Sequence, residues 1–491
     1  MTLQALKTLS LGERFAELAA TDPNRPALTC GGMTVTRADL ESRSNRLARA
    51  YLELGVQPDS LVTIGLPTSV EFLEAAIAVW KCGATPQPIS SRLPAREREA
   101  IIALAQPSLV VGVDPTETGG IPVVPAGFTP DPELSDAALE PRVATAWKAP
   151  TSGGSTGRPK LIVSTQPATV ESVAPFARLL GMVDDGTVFI TAPLYHNAGF
   201  MLTSCALSLG GHVVLMPRFD AAESVRLAAE HQVDWMYAVP TMMGRILRLP
   251  EQQRAAYPPP SLHVLMHMAA PCPPWLKQAW IDWLGADRVW ELYGATEVQS
   301  VTVMKGGEWL ERPGTVGRPV IGEMQIRDEE GNPVPPGTVG ELWMRRGEGV
   351  PNPYRYLGAE ARAAEGGWES VGDMGSLDAD GYLYLADRKS DMILVGGANV
   401  YPAEVEAELS EHPAVRSAVV IGLPDDDLGQ VPHALVELED AVSDDDLRSH
   451  LKERLVSYKI PRSFERVTEP LRDDAGKVRR AALVTQRTGD R

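Results

Sequence analysis

Helix-like and strand-like segments alternate along the first 150 residues of this chain. Thr36 to Leu54 and Val70 to Trp80 carry apolar residues at helical spacing. Between them, Leu61 to Leu66 is an apolar run of strand length. Such alternation favours α/β layers around a largely parallel sheet. We therefore expect an α/β fold.

The alternation continues beyond residue 151 and then changes character. Further strands are predicted at Val188–Ala192, Val213–Met216, Trp235–Val239 and Leu262–Met268, with helices at Ala221–Glu230 and Met242–Leu247. Gly314 to Tyr384 is rich in glycine, proline and short β-like pieces, which predicts a small β-rich subdomain.

A polar, charged break at residues 387–390 divides the chain into two predicted domains. Beyond it, Ala403–Ser410 and Asp444–Leu455 are predicted helices, and Val415–Ile421 and Ala434–Leu438 are predicted strands. About a hundred residues of this kind make an α+β domain of ordinary size. We expect a large domain over 1–386, a hinge at 387–390 and a small domain over 391–491.

Composition excludes several classes of protein. A net charge of −18 argues against a broad nucleic-acid-binding surface. No apolar run reaches the roughly 18 residues of a membrane span, and the N-terminal residues lack a signal-peptide core. The four cysteines have no paired spacing, which fits a reducing compartment. We expect a soluble, cytoplasmic protein.

The segment TSGGSTGRPK, Thr151 to Lys160, has the composition of a phosphate-binding loop. Glycines let an anion approach backbone N–H groups, hydroxyls add donors, and the lysine supplies charge. It does not fit the kinase-type phosphate loop, because Leu161 follows the lysine where Ser or Thr is required. β-prone flanks place it between strands. On composition alone, a flexible surface loop is an equal alternative.

Five segments in order resemble the adenylate-forming enzymes, which include acyl-CoA synthetases, adenylation domains and firefly-type luciferases. They are TSGGSTGRPK, ELYGATE (Glu291 to Glu297), Gly372-Asp373, Asp387-Arg388 with GGANVYPAEVE (Gly396 to Glu406), and DDAGKVRR (Asp473 to Arg480). The resemblance implies a large N-terminal domain of two layered α/β sheets plus the β-rich subdomain. A small, mobile α+β C-terminal domain would follow and would carry a catalytic lysine.

The resemblance also implies an ATP- and Mg²⁺-dependent reaction that joins a carboxylic acid to ATP as an acyl-adenylate. Lys477, His196, Thr156 and Glu297 would be catalytic, His196 as a gate, and Glu297 and Thr156 would bind Mg²⁺. The residues implied to bind ATP or AMP are Thr151, Ser152, Gly154, Ser155, Thr156, Lys160, Ala269, Ala270, Pro271, Glu291, Leu292, Tyr293, Thr296, Asp373, Arg388 and Lys477. Taken singly, most would be ordinary solvated loop residues.

CoA is the acceptor that the C-terminal resemblance implies. Rotation about Asp387 would bring Gly396 and Gly397 to the thiol arm, since glycine lets backbone pass close to it. The residues expected to line the acyl pocket are Tyr195, His196, Asn197, Met201, Tyr237, Gly294, Ala295 and Val298. The pocket segments contain no lysine or arginine, which favours a hydrophobic monocarboxylic acid.

The segment HMAAPCPPWLK, His267 to Lys277, resembles ligases for bulky polycyclic acids, such as bile-acid-CoA ligases and diterpenoid acyl-CoA synthetases of platensimycin-type pathways. Aryl and medium-chain fatty acids remain open, and so does the alternative that the pocket methionines are core filler. The acceptor could instead be a carrier-protein pantetheine or a partner ligase. A luciferase-like oxygenase and a non-catalytic relative are further readings. The chain could be a monomer or a homodimer.

Overall fold

The computed structural model describes residues 8–153, 159–255, 257–473 and 476–489. The predicted phosphate-binding residues Gly154, Ser155 and Thr156 lie outside this set, as does the side chain of Ser152. The α-helices of the described residues are α1 (Leu11–Thr21), α2 (Arg37–Glu53), α3 (Val70–Lys81), α4 (Ala95–Ala105), α5 (Val170–Leu179), α6 (Asn197–Ser208), α7 (Ala221–Glu230), α8 (Pro240–Leu247), α9 (Glu251–Arg254), α10 (Pro274–Leu284), α11 (Gly306–Glu311), α12 (Pro402–Ser410), α13 (Asp444–Lys452) and α14 (Arg480–Thr488).

The strands form five sheets. They are β1 (Pro26–Cys30), β2 (Met33–Thr36), β3 (Leu61–Ile64), β4 (Thr85–Pro88), β5 (Leu109–Val111), β6 (Val123–Val124), β7 (Thr151–Gly153), β8 (Pro159–Ser164), β9 (Thr187–Ile190), β10 (His212–Leu215), β11 (Trp235–Ala238), β12 (Val264–His267), β13 (Val289–Gly294), β14 (Val301–Lys305), β15 (Pro319–Ile321), β16 (Glu323–Arg327), β17 (Gly340–Arg345), β18 (Tyr354–Leu357), β19 (Arg362–Ala364), β20 (Trp368–Ser370), β21 (Asp373–Leu377), β22 (Leu383–Arg388), β23 (Ile393–Val395), β24 (Ala398–Val400), β25 (Val415–Asp425), β26 (Gly429–Leu438) and β27 (Ser463–Arg466).

A nine-stranded sheet forms the centre, in the order β15-β14-β13-β12-β11-β9-β10-β1-β2. Its middle strands are parallel, and its two margins are antiparallel. Strands β10, β11 and β12 are buried along their whole length, as apolar runs in parallel sheets require. The carboxyl ends of parallel strands share one edge, so the loops after β11, β12 and β13 meet there.

A four-stranded parallel sheet, β4-β3-β5-β6, forms a second layer. Helix α3 contacts both β1 of the large sheet and β3 and β4 of this one. Ten of its twelve residues are buried, from Val70 to Lys81. Only Glu71 and Glu74 are partly exposed, so this helix has a very small polar face and its sequence is mostly apolar.

The β-rich subdomain and a three-stranded sheet flank the central layers. The subdomain is β19-β20-β17-β21-β22 with β16 beside β17, and its pairings are antiparallel. In the sheet β18-β8-β7, strand β8 pairs with β7 on one side and with β18, which lies between β17 and β19 in the chain, on the other. Through this pairing Tyr356 and Lys160 come to lie on neighbouring strands.

The C-terminal unit has its own sheet, β24-β23-β26-β25 with β27 beside β26, and its own core of residues between Ile393 and Phe464. It docks on the large unit through polar contacts. Trp275 Nε1 donates to Ser410 Oγ at 2.9 Å, and Arg248 lies 3.6 Å from a Glu439 oxygen. These contacts hold the C-terminal unit over the edge of the sheet where β11 and β12 end.

The predicted α/β fold is confirmed, and the strands and helices predicted from periodicity are present with ends shifted by a few residues. One local expectation is wrong. The polar break was expected to begin at Asp387, but β22 continues through Arg388, because Asp387 and Arg388 pair with Met374 and Asp373 on β21. The turn starts at Lys389.

All four cysteines are free thiols, and Cys30, Cys82 and Cys205 are buried. Among the described helices, none combines the length and apolar character needed to cross a membrane.

Candidate active site

Two charged side chains meet where the β7–β8 hairpin faces the loop after β13. Lys160 Nζ lies 3.3 Å from Glu297 Oε1, and the Tyr356 hydroxyl donates to the same oxygen at 2.5 Å. The Lys160 ammonium also sits 4.0 Å from the centre of the Tyr356 ring. Glu297 is buried, so these partners compensate its charge. The arrangement places one cation and one carboxylate at the base of the predicted phosphate loop.

The loop that carries Glu297 is strained immediately after it. Val298 has φ of +54°, a left-handed conformation that a β-branched residue rarely adopts. Its N–H donates to the Ala295 carbonyl at 3.1 Å, which closes a tight turn. Strain of this kind persists where the surroundings fix the backbone, and it is common at functional sites.

A second polar group lies at the start of β21. The Tyr293 hydroxyl donates to Asp373 Oδ2 at 2.6 Å, and Arg388 Nε lies 3.4 Å from Asp373 Oδ1. Burial first, and then the Asp373 carboxylate, raise the pKa of Tyr293 well above its ordinary value, so the phenol keeps its proton. The Arg388 side chain is 64% exposed and is therefore accessible to a ligand.

The C-terminal tail brings Lys477 to this cleft. A Cβ built on the neighbouring Gly476 would lie 3.4 Å from Thr241 Oγ1, so the tail rests against the start of α8. Lys477 keeps an exposed surface. The protein around Lys477 nevertheless lowers its pKa, first by desolvation and then through the positive charge of Arg388. The carboxylates of Asp473 and Glu297 act in the opposite direction and raise this pKa. The Lys477 ammonium therefore interacts electrostatically with both Glu297 and Arg388.

Arginines on both sides of the tail attach it to α12. Arg472 Nη2 donates to Glu406 Oε2 at 2.7 Å, and Arg480 pairs with Glu406 Oε1 and with Asp391. Asp387 Oδ2 accepts from the Ala403 N–H at 2.8 Å at the start of the same helix. The predicted hinge residue and the predicted catalytic tail are therefore both bound to α12.

The predicted acyl-binding residues His196 and Asn197 stand at the start of α6. His196 occupies the N-cap position, and its ring centre is 4.4 Å from that of Tyr195. A Cβ on Gly199 would lie 2.3 Å from the Pro193 carbonyl oxygen, so only glycine allows α6 to begin so close to the preceding loop. This close approach fixes where His196 and Asn197 face.

A buried cation that was not predicted from the sequence lies at this end of the site. Lys148 is 4% exposed, and its Nζ donates to Asn197 Oδ1. Its ammonium also lies 4.6 Å from the centre of the Trp147 ring. The pocket segments were expected to hold no cation, and they contain none themselves, but Lys148 reaches them from the chain before β7. Desolvation lowers the pKa of Lys148 to about 7, against smaller opposite effects of Cys205 and Glu297.

This lysine should make the stability of the protein depend on pH. Its pKa is about 7 in the folded chain against an ordinary 10.5, so between these values the unfolded chain binds more protons and stability rises with pH. Relative to Lys148→Met, the free energy of unfolding of the wild type should rise by about 2 kcal/mol between pH 7.5 and 9. Urea denaturation at both pH values measures this. A constant difference between the two proteins would show that Lys148 does not titrate in this range.

The side chain of Glu291, expected among the ATP- or AMP-binding residues, is part of a buried cluster. It pairs with Lys277 on α10, and His267 Nδ1 lies 3.7 Å from Glu291 Oε1. Burial and the Lys277 charge lower the pKa of His267 well below its ordinary value, so the ring is neutral. The cluster ties β12, β13 and α10 together behind the predicted nucleotide site, and Glu291 itself is paired with strands on both sides.

Breaking this pair should destabilise the protein strongly. Lys277→Met leaves the Glu291 carboxylate buried beside a neutral histidine, which should lower the free energy of unfolding by about 3–5 kcal/mol. Replacing both charges, as in Lys277→Met with Glu291→Leu, should restore much of the loss. Arg226→Met, which breaks an exposed pair with Glu223, is the control and should cost under about 1 kcal/mol. A single variant as stable as the wild type would contradict the structural role.

The remaining predicted residues divide between the cleft and the core. Ala269 (φ of +76°), Ala270, Pro271 and Thr296 are at least partly accessible on the loops after β12 and β13. Tyr237 and Met201 are buried in the main core. Met236, Met242 and Met243 belong to the same core, which favours the interpretation of these methionines as core filler.

Two further residues predicted to bind the nucleotide lie in strands: Thr151 Oγ1 accepts a hydrogen bond from Gln87 Nε2 at 2.7 Å, and Leu292 is buried. Gly396 and Gly397 form the β23–β24 turn within the C-terminal sheet.

Among the described residues, no group of three or more His, Cys, Asp or Glu side chains could cage a metal. A lone carboxylate such as Glu297 is enough for a Mg²⁺ ion that keeps waters and binds mainly to phosphate oxygens. The donor set therefore fits Mg²⁺ and does not fit a structural zinc.

Two known protein families together match most of this chain. Residues 15–354 match the family described as AMP-binding enzyme, and residues 404–477 match the AMP-binding enzyme C-terminal domain. The second match begins at Glu404 in α12 and ends at Lys477.

Individual relatives match over almost their full length. A feruloyl-CoA synthase of Amycolatopsis sp is 31% identical over 473 residues, which cover 94% of this chain and 95% of the relative. A 2-succinylbenzoate–CoA ligase of Bacillus subtilis (strain 168) is 30% identical and covers 96% and 97%. A solved structure of an o-succinylbenzoate CoA synthetase from Bacillus subtilis with its acyl-adenylate intermediate is 27% identical, with a TM-score of 0.81 over 96% of this chain and 97% of that one.

Proposed function

The chain belongs to the AMP-binding enzyme family, and on that premise we propose that it activates a hydrophobic, bulky polycyclic carboxylic acid and transfers it to CoA. The chain is an AMP-forming acid–CoA ligase that uses ATP, Mg²⁺ and CoA. The size and shape of the acid belong to the proposal. The resemblance of His267 to Lys277 to ligases for polycyclic acids supports it.

One observation carries the assignment of residues to steps. Lys160 pairs with Glu297, Arg388 lies beside Asp373, and the charge of Lys477 is influenced by both Arg388 and Glu297, although the three cations come from distant parts of the chain. Three cations suit a triphosphate, and two separate carboxylates suit a metal and a ribose. An acidic chain that concentrates cations in one cleft is adapted to an anionic ligand there.

In the first step, the carboxylate of the acid would attack the α-phosphorus of ATP, and pyrophosphate would leave. Lys160 would hold the outer phosphates, and Asp373 would accept hydrogen bonds from the ribose hydroxyls while Tyr293 keeps it oriented. Lys477 would stabilise the negative charge that develops at the α-phosphate. Bound at Glu297, Mg²⁺ would neutralise charge on the phosphate oxygens. His196 would separate the acyl pocket from the phosphates and needs to remove no proton, because the acid is ionised at pH 7.

In the second step, the CoA thiolate would attack the acyl carbonyl and release AMP. We propose that Gly396 and Gly397 approach the thiol arm at this stage, after the C-terminal unit has turned about Asp387. Glycines with φ of +56° and +87° leave backbone close to the surface, where a narrow chain can pass.

Pyrophosphate release over a panel of acids, with and without CoA, tests the proposal. The panel contains polycyclic, aryl and fatty acids of similar hydrophobicity, and mass spectrometry identifies the products. We expect a polycyclic acid to give the CoA thioester with the highest kcat/KM. Preference for an aryl or fatty acid would overturn the polycyclic assignment. Acyl-AMP without thioester would indicate a carrier protein or a partner enzyme as acceptor.

A further inference from the structure

Buried lysines in this chain normally face a carboxylate. Lys81 Nζ lies 2.5 Å from Glu41, and Lys277 is paired with Glu291. Lys148 is equally buried, but among the described residues no carboxylate lies within ion-pair distance of it, and its hydrogen-bond acceptor is the neutral amide oxygen of Asn197. A neutral amide compensates a buried ammonium far less than a carboxylate does.

The position of Lys148 is fixed by its neighbours. Its carbonyl accepts from the Ser164 N–H at 3.0 Å, which holds the backbone against β8. The preceding Trp147 ring stacks on Phe200 of α6, with ring centres 6.3 Å apart and planes 12° apart. The amine is therefore held between β8 and the first turns of α6, beside the residues proposed to line the acyl pocket.

Lys148 is separate from the cation that faces the predicted phosphate site. Lys160 Nζ lies 3.3 Å from Glu297 Oε1, whereas among the described residues no carboxylate is within ion-pair distance of Lys148. Lys148 instead donates to Asn197 at the start of α6. A carboxyl group placed for attack beside Lys160 and Glu297 would leave Lys148 to meet another atom of the acid.

We propose that Lys148 is a specificity-determining residue whose ammonium group binds an oxygen acceptor on the acyl skeleton, a ring carbonyl or hydroxyl apart from the carboxyl group that is activated. Asn197 is the positioning residue that aims it. This inference rests on the proposed function and deepens it, since it adds a buried cation to a pocket whose own segments contain no lysine or arginine. An acid that lacks the oxygen leaves the buried amine without its second partner, and such sites discriminate strongly.

The test compares two acids with the same polycyclic skeleton, one with a ring ketone and one with a methylene in its place. We expect the wild type to prefer the ketone by at least tenfold in kcat/KM for pyrophosphate release. In Lys148→Met this ratio should fall to near one. Asn197→Asp gives the lysine an internal carboxylate and should also lower the ratio, which provides a second test if the first variant folds poorly. Lys81→Met, which removes a buried lysine that is paired with Glu41 on α2, is the matched control and should keep the wild-type ratio.

The outcomes separate the two proposals. Pyrophosphate release without preference for the ketone would overturn this inference alone. Equal losses for both acids in Lys148→Met, with an unchanged melting temperature, would also overturn it, because they would assign the lysine to the carboxyl group or to the scaffold. Absence of release with every acid would overturn the proposed function and this inference with it.

Discussion

Replacing Lys477 by alanine should lower the rate of acyl-adenylate formation by about 100- to 1,000-fold. Its ammonium shares the field of Glu297 and Arg388, so it is placed to stabilise charge that develops at the α-phosphate only in the transition state. Pyrophosphate release from acid and ATP measures the effect. Thioester formation from supplied acyl-AMP and CoA should change less than about threefold, since no phosphorus is attacked in that step.

Two further measurements sharpen this prediction. The same reaction should slow as pH rises through the pKa of Lys477, which lies below the ordinary lysine value because desolvation penalises the charged form. Lys452→Ala removes a lysine at the end of α13 and is the matched control, with activity expected to be unchanged. If Lys477→Ala adenylated its acid at the wild-type rate, the role assigned to this residue would be wrong.

The second large effect is expected from Glu297→Gln. The amide keeps the shape of the side chain and can still accept from the Tyr356 hydroxyl, but it removes the negative charge that would hold Mg²⁺. We expect kcat/KM for ATP to fall by about 100-fold and the Mg²⁺ concentration at half-maximal activity to rise about tenfold. Magnesium titration of pyrophosphate release measures both quantities.

Tyr356→Phe separates the charge of Glu297 from its positioning. The variant removes one hydrogen bond to Glu297 and keeps the ring beneath Lys160, so it should cost only about three- to tenfold. An unaltered magnesium requirement in Glu297→Gln would remove Glu297 from the metal site.

Periodicity was sufficient to predict the layers of the fold. Strands such as Trp235–Ala238 are apolar runs because parallel strands are covered on both faces, and that burial is visible in the sequence. The end of β22 was not predictable in the same way. Asp387 and Arg388 are polar and suggest a break, yet pairing with β21 keeps them in the strand, and a pairing across the sheet leaves no local signal.

The candidate site was predictable where a residue belongs to a motif and not where it depends on distant contacts. Glu297, Asp373, Arg388 and Lys477 lie in recognisable segments; Arg388 lies beside Asp373, and the charge of Lys477 is influenced by Arg388 and Glu297. Lys148 stands outside every motif, and its importance arises from burial against a helix 49 residues away. The pairing of Glu291 with Lys277 had a weak signal, because Lys277 stands among apolar residues on the inner face of α10.

The double attachment of the tail to Glu406 has a consequence for kinetics. Arg472 and Arg480, which precede and follow Lys477 in the sequence, both pair with the Glu406 carboxylate on α12. Any rotation of that helix must therefore move the lysine as well. Withdrawal of the lysine and reorientation of the C-terminal unit are then a single motion with a single rate constant. A fluorescent reporter on the solvent face of α12 would time the departure of a lysine some seventy positions further along the chain.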